Sequence, residues 1–322
     1  MKRLFSLYNR EISVGIAIVI MFIIFSLINV IYISPDNLID IVNQSIIYGL
    51  MALGVTGIII IGGIDLSMGS ALALVVVLVS KLSVAGFPPI TCLIIGLLFG
   101  LVLGYINGIL VAKLRLQPFI ATLGTMSLYR GMALLIAGGL PILNIPDAYR
   151  RFVDARIIWY VRVSVIIFII FAIFLHILLK KTRFGNYVFA IGGNEEASRL
   201  SGVKVEKVKI AMYSIGMLGT TLAAMIMIGK MGAGDSTTGV GYELDAIAAA
   251  AIGGTSMSGG RGTIVGTLLG ALLFASLRIG LIVAGVDPFW QYVARGIVIL
   301  IAAYLEIAQG NIMILRRTKK EA

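Results

Sequence analysis

The sequence predicts an all-α, polytopic membrane bundle of about ten transmembrane helices with Gly-rich breaks, both termini on the cytoplasmic side. Three observations carry that prediction. The first is composition: 59% of the residues are hydrophobic and 13% charged, with a mean hydropathy of +1.05, whereas soluble domains are about 25% charged. The second is run length. Apolar stretches near the ~20 residues of one bilayer crossing follow one another along almost the whole chain, so 1–322 reads as a single transmembrane domain. The third is a pair of interruptions, GGIDLSMG (62–69) and GGTSMSGG (253–260), each opening on Gly-Gly, carrying a serine five positions on and leading into a new apolar run. In lipid every backbone N–H and C=O needs a partner, so such a break lies against protein or a water-filled cavity. Breaks of this kind often line solute pathways, which points to a passage rather than a reaction site.

Taken along the chain, Ile12–Ile33 is a first span: it is too long for a signal peptide and lacks a small-residue cleavage site. Leu38–Ile61 runs into the first break, and Ser70–Ala85 resumes after it. Ile90–Ala112 carries Gly96, Gly100, Gly104 and Gly108, one per turn. That smooth face admits a second helix closely, either as plain packing or as a surface that slides during a conformational cycle. Phe119–Gly138 is the fifth span. The connection Leu140–Arg162 holds prolines, Tyr149, Trp159, Tyr160 and four arginines beside Asp147 and Asp154; it reads as an amphipathic interfacial cap or a dock for an outer partner. Val163–Leu179 and Lys207–Gly229 are the sixth and seventh spans. Lys230–Gly241, rich in Gly, Ser and Thr, suits a solvated loop or a re-entrant lining equally. Glu243–Gly253, with Ala246, Ala250 and Gly254 on one face, is short enough for a half-helix. Gly262–Ala284, with Gly262, Gly266 and Gly270, and Phe289–Ala308 complete the set.

A net charge of +11 invites a nucleic-acid reading, but its distribution excludes it. Basic residues gather at span ends: Lys2, Arg3 and Arg10; Lys113 and Arg115; Lys180, Lys181 and Arg183; Arg316, Arg317, Lys319 and Lys320. By the positive-inside rule these ends are cytoplasmic. Both breaks then fall on the cytoplasmic side, whereas inverted repeats place mates on opposite sides. Either the likeness of the breaks is local or the span count is off by one.

Charges within spans are costly and default to functional hypotheses. Asp65, at the first break, either caps the helix that follows or takes a direct part in a pathway. Arg130 lies within the fifth span, Arg278 and Arg295 in the outer halves of the ninth and tenth, and Glu243 and Asp245 open the eighth. Three arginines and two carboxylates at similar depth suggest ion pairs holding the outer half of the bundle. Asn107, on the glycine-faced fourth span, can hydrogen-bond across helices or to a polar solute. Cys92, the only cysteine, reads as packing, and His176, the only histidine, as interfacial. No phosphate-binding loop, no H-E-x-x-H and no other catalytic constellation occurs, so the chain is not an enzyme and no metal site is expected.

The longest cytoplasmic connection, residues 180–209, has a glycine break at Gly192–Gly193 and then Asn194-Glu195-Glu196-Ala197-Ser198-Arg199-Leu200 before Gly202. Asn194 is placed to cap a short helix with acids in its first turn and Gly202 past its end. Such a helix is either a rigid lever for another protein to push or a solvated connector.

Five segments taken in order carry a resemblance: GGIDLSMGS (62–70), NGILVAKLRLQPFIATLGT (107–125), RGMALLIAGGLPI (130–142), AIGGNEEASRLSGV (190–203) and GYELDAIAAAAIGGTSMSGGRGTIVGT (241–267). They resemble the membrane-spanning permease subunit of ribose-type ABC sugar importers, the branched binding-protein-dependent permease family, almost end to end. The resemblance implies a prokaryotic cytoplasmic (inner) membrane and two permeases, identical or close paralogues, forming a pathway at their interface. It also implies a tandem-domain ATPase that holds ATP and Mg, and an extracytoplasmic sugar-binding protein. No cofactor is then bound by this chain, and Asn194–Gly202 is the coupling helix seated in the ATPase. A neutral sugar, ribose or a relative, would pass polar linings, for which Asp65, Ser67, Ser70, Asn107, Thr255, Ser256 and Ser258 are the candidates. The competing reading is an ion-gradient-driven secondary transporter with Asp65, Glu243 and Asp245 as ion sites.

Overall fold

The computed structural model describes residues 9–158 and 161–287, with scattered helical positions between 289 and 304. It is an all-α bundle. Its helices are α1 (Asn9–Ile28), α2 (Pro35–Ile60), α3 (Met68–Val84), α4 (Pro89–Ala112), α5 (Pro118–Ala137), α6 (Asp147–Asp154), α7 (Val163–Lys181), α8 (Arg183–Gly193), α9 (Glu195–Leu200), α10 (Val205–Met231), α11 (Tyr242–Ile252) and α12 (Ile264–Val283). A two-strand hairpin, β1 (Arg156–Ile158) and β2 (Val161–Arg162), is the only sheet among the described residues. Proline in the first turn starts α2, α4 and α5, where its missing N–H is no loss.

Seven of these helices, α1, α2, α4, α5, α7, α10 and α12, are long and apolar enough to cross a membrane. Two of the remaining expected spans are short: α3 has 17 residues and α11 has 11, about 26 and 17 Å of helix. Each has an end inside the bundle rather than at its surface, so neither is among the seven long apolar helices of the described residues. The tenth expected span, Phe289–Ala308, lies mostly outside the described residues, as do both chain ends on which the orientation of the termini rests.

The most apolar helices, α1 and α7, are among the least buried, whereas α2 and α10 form the centre. In lipid the surroundings are as apolar as leucine, so the interior is distinguished by small side chains and close packing. The α4 glycine stripe shows this: Gly96, Gly100, Gly104 and Gly108 face Met225, Thr221, Tyr213–Met217 and Ile210 of α10, an antiparallel pair in near-backbone contact. On the other flank, Gly266 and Gly270 of α12 meet the carbonyls of Gly253 and Ala249 at the end of α11. Both stripes pack helices. Thr56 of α2 and Thr267 of α12 share a buried hydrogen bond of 2.7 Å, and α1 lies along α12 through Glu11 to Thr263 at one end and Asn29 to the Val283 carbonyl at the other.

Call the end that carries residues 182–204 the lower end. At the upper end, α6 buries Tyr149 and Val153 over α10, and Asp154 accepts from Arg162 at 2.5 Å and Ser164 at 3.0 Å. The stretch 140–162 is thus an amphipathic cap, with Arg150, Arg151 and Arg156 exposed. Of the two readings of 230–241, the re-entrant one holds. Gly234 exchanges both backbone hydrogen bonds with Ile142 at 2.8 Å beside Ser80, and Gly239 lies against the Gly69 carbonyl. Gly234 meets Ser80 and Val76 of α3, whereas Gly239 meets Gly69 and Leu72, nearer the start of that helix, and the residues between them form turns. The segment therefore descends along α3 into the bundle, where α11 begins.

Candidate transport and coupling site

Three glycine pairs converge at the lower end. The Gly260 N–H donates to the Ile60 carbonyl, the last residue of α2, at 2.8 Å. Gly259 lies against the Gly192 carbonyl and Gly62 Cα, and Gly260 against Gly193 Cα. Both breaks and the end of α8 therefore meet in one backbone junction. Gly260 has φ +72°, which only glycine adopts freely, and a Cβ on Gly192 would overlap the Ile60 carbonyl. The two breaks are thus neighbours at one end, not mates of an inverted repeat. Helix α8 runs through Gly192–Gly193 instead of breaking there, and the chain turns at Asn194.

Asn194 then starts α9. Its Oδ1 accepts from the Ala197 N–H at 2.9 Å, and Ser198 Oγ donates to the Asn194 carbonyl. At the far end the N–H groups of Gly202 and Val203 reach back to the Arg199 and Ser198 carbonyls. Glu195 accepts from Arg199 at 3.0 Å and from Lys209 of α10 at 2.6 Å. Burial pushes its carboxyl up, but the hydrogen bonds and charges of Lys209 and Arg199 outweigh this and hold it below the usual carboxylate range. Glu196, Ala197 and Leu200 stay exposed, Leu200 at 84%. The result is a short helix braced on its inner side and presenting an acid and a leucine outward.

Above the junction, Asp65 is fully buried. Its Oδ1 accepts from the Ser67 N–H at 2.9 Å and Ser67 Oγ at 2.6 Å, and its Oδ2 accepts from Asn107 Nδ2 at 3.0 Å. The same Nδ2 reaches Ser67 Oγ at 2.8 Å, and Tyr129 O–H reaches Asn107 Oδ1 at 3.4 Å. Tyr213 O–H donates to the Ile64 carbonyl at 3.2 Å. Ser67, rather than Asp65, occupies the cap position of α3; Asp65 acts one step earlier by bonding the Ser67 amide. The first break is therefore tied to α4 and α10, while Tyr129 of α5 bonds α4 at the Leu103 carbonyl, at 3.0 Å, as well as at Asn107. Asn107 lies five residues from the end of α4, so this clamp sits about 8 Å inside the bundle.

A second polar node lies where α3 and α11 begin. Arg130 of α5 donates to the carbonyls of Ser236 at 2.5 Å, Thr238 at 2.9 Å and Gly69 at 3.3 Å. Glu243 Oε2 occupies the space a Gly69 side chain would need. The carboxylate thus stands at two helix N-termini, whose dipoles favour it. Arg278 of α12 bonds the Tyr48 hydroxyl and lies over the Tyr48 ring, 5.6 Å from its centroid; with Asp245 both line a cavity of about 30 Å³. Arg295 lies outside the described residues. Arg130 and Glu243 thus both lie at the start of α3, and Asp245 and Arg278 line one cavity.

Ser70, Thr255 and Ser256 are buried, and Ser258 is exposed on the second break. Cys92 is buried, with Sγ toward the Phe87 carbonyl. Among the described residues no group of three or more His, Cys, Asp or Glu side chains is arranged to hold a metal ion. Tyr129, Tyr213, Lys209 and Tyr48 were not singled out by the sequence. A tyrosine inside a span needs a partner for its hydroxyl, and that was the available signal.

Residues 37–303 match the family model described as "Branched-chain amino acid transport system / permease component". The ribose import permease RbsC of Bacillus subtilis (strain 168) is 44% identical over 298 residues, covering 92% of each chain. RbsC of Escherichia coli (strain K12) is 37% identical over 90% of this chain and 92% of its own. The galactose/methyl galactoside import permease MglC of the same strain is 34% identical over 95% and 96%. No solved structure matches the chain significantly. With a family model spanning most of its length and relatives aligned nearly end to end, the chain belongs to the permease-component family of these importers.

Proposed function

We propose that this chain is the transmembrane permease of an ATP-driven, binding-protein-dependent importer for a monosaccharide, ribose or a related sugar. The observation that carries the reading is 44% identity over 298 residues to a ribose import permease. The ribose relatives reported stand above the galactose one in identity, which supports the choice of ribose or a related sugar. The ion-driven alternative is not favoured, because the relatives are import permeases named for ribose and galactose; of its three candidate ion sites, Asp65 has both carboxylate oxygens engaged by Ser67 and Asn107.

In this reading the lower end is cytoplasmic and α9 is the coupling helix, with Glu196 and Leu200 as its outward contacts to a tandem-domain ATPase that holds ATP and Mg. A second permease, identical or paralogous, completes the pathway, and an extracytoplasmic protein delivers the sugar to the upper end. The membrane is the prokaryotic cytoplasmic membrane. A neutral sugar needs only weak, uncharged contacts on its way, since selectivity resides in the binding protein. Ser258 faces outward from the second break and is the foremost candidate lining residue. Ser70, Thr255 and Ser256 lie behind it, and Asp65, Ser67 and Asn107 hold the first break in shape.

The test is extraction of the tagged chain from its native membrane in mild detergent, with identification of what accompanies it, followed by uptake in vesicles. Co-extraction of an ATPase, with uptake of ribose that requires ATP and binding protein, is the expected result. Uptake by the chain alone under an ion gradient overturns the reading.

A further inference from the structure

We infer that Gly192 and the Ile60 carbonyl form the joint through which α9 moves both breaks at once. This rests on the reading of α9 as the coupling helix. The argument is one of contact. Force on α9 passes into α8 through Asn194, whose N–H bonds the Ala190 carbonyl. The last turn of α8 lies on the Ile60 carbonyl so closely that a Cβ at Gly192 would overlap it. The same carbonyl accepts the Gly260 N–H at 2.8 Å. One oxygen thus touches the end of α2, the second break and the helix that leads into α9. Gly259 closes the triangle, resting on both the Gly192 carbonyl and Gly62.

The joint has no side-chain component. It works through backbone surfaces in direct contact, so displacement of α8 is transmitted to residues 60–63 and 259–260 without slack. Gly192 is a positioning residue: it touches no solute and acts through the Ile60 carbonyl.

Gly193 supplies the control. It is the neighbouring residue on the same helix, but a Cβ there meets nothing within 4 Å. In the reconstituted importer, with permease, ATPase and ribose-loaded binding protein, Gly192→Ala is expected to retain assembly and basal ATP hydrolysis. It should lose at least tenfold in ribose moved per ATP hydrolysed, while Gly193→Ala matches the parent. A Gly192→Ala complex that moves ribose per ATP within twofold of the parent overturns the inference and leaves the importer reading intact. A parent complex that moves no sugar overturns the importer reading instead, and the inference with it.

A measurement on the unaltered complex covers the case in which Gly192→Ala does not assemble. Hydrogen–deuterium exchange is followed with and without a non-hydrolysable ATP analogue. Protection is expected to change together in peptides covering 190–200, 60–66 and 256–263, the last reporting the Gly260 amide. A change confined to 190–200 overturns the joint.

Discussion

The clamp around Asp65 invites a double-mutant cycle. Asn107→Ala removes the donor to Asp65 Oδ2 at 3.0 Å and to Ser67 Oγ at 2.8 Å, together with the 3.4 Å acceptor of the Tyr129 hydroxyl. All four side chains are buried, so nothing from solvent replaces the lost partners. A hydrogen bond to a charged group contributes about 1.5–3 kcal/mol, and an orphaned buried polar group costs about 1–3 kcal/mol. Measured couplings within membranes are smaller, at most about 1.7 kcal/mol. Asn107→Ala and Asp65→Ala are therefore each expected to destabilise by about 2–4 kcal/mol, with a coupling of about 1–1.7 kcal/mol between them. The double variant is then more stable than the sum of the single losses predicts, because removing the carboxylate also removes the group that Asn107 satisfied. The assay is thermal unfolding of the detergent-solubilised chain for parent, single and double variants. Additivity within about 0.5 kcal/mol, the level of independent sites, would refute the claim that these residues form one clamp.

Three further outcomes follow from the same geometry. Reversing both acids of α9, Glu195→Lys with Glu196→Lys, places like charges beside Lys209 and Arg199; ATP hydrolysis and membrane insertion should persist while ribose uptake falls, and unaltered uptake removes α9 from the coupling role. Glu195 has a folded pKa below its usual value, so its ion pairs contribute above the unfolded carboxylate pKa and fade as pH falls through the lowered folded one. Glu195→Gln should therefore lie below the parent in stability near neutral pH by less than about 1 kcal/mol, since the pair is partly exposed, and the two should converge in acid; a gap that widens in acid reverses the sign and rejects the assignment. Gly104→Val forces a side chain into the Tyr213–Ser214 backbone, and overpacking of this kind costs about 1–3 kcal/mol or more, whereas Gly124→Ala meets open space; equal melting temperatures for the two would contradict the α4–α10 contact.

Much of the bundle was legible because lipid leaves few solutions for a chain. Span positions followed from apolar length, the α4 and α12 stripes from one glycine per turn, and the α9 cap from Asn194 three residues ahead of an amide in need of an acceptor. What the sequence left open depended on depth. The stretch 230–241 has the composition of a surface loop, and only its contacts with Ser80 and Gly69 reveal that it descends. A charge in a span suggests an opposite charge, and for Arg130 the Glu243 carboxylate lies at the same node, but its hydrogen-bond partners are not legible. Those three are backbone carbonyls, which carry no residue identity for a sequence to display. The junction was half visible: two glycine breaks were evident, and the third pair, Gly192–Gly193, was read as a separate feature because nothing in a linear pattern brings it to Ile60.

The two polar regions of the bundle differ in how readily they can change. Around Gly69 and Glu243, a buried carboxylate, two helix N-termini and the Arg130 guanidinium compensate one another. Separating them would strand a charge in a low-dielectric interior, which costs several kcal/mol per ion. The junction at Ile60 holds no charge. Its one cross-break hydrogen bond, Gly260 to Ile60, contributes only about 0.5–1.5 kcal/mol, and its remaining contacts are backbone surfaces that can shift together. A push on the lower end therefore finds its yielding point at the glycines and its fixed point at the Arg130–Glu243 node. Between these two levels lie the Asp65 clamp and the last turns of α11. Motion confined to that interval leaves the re-entrant segment 234–239 seated on α3. In the importer proposed above, energy enters at the lower end and cargo at the upper, and this separation of a yielding point from a fixed one suits both.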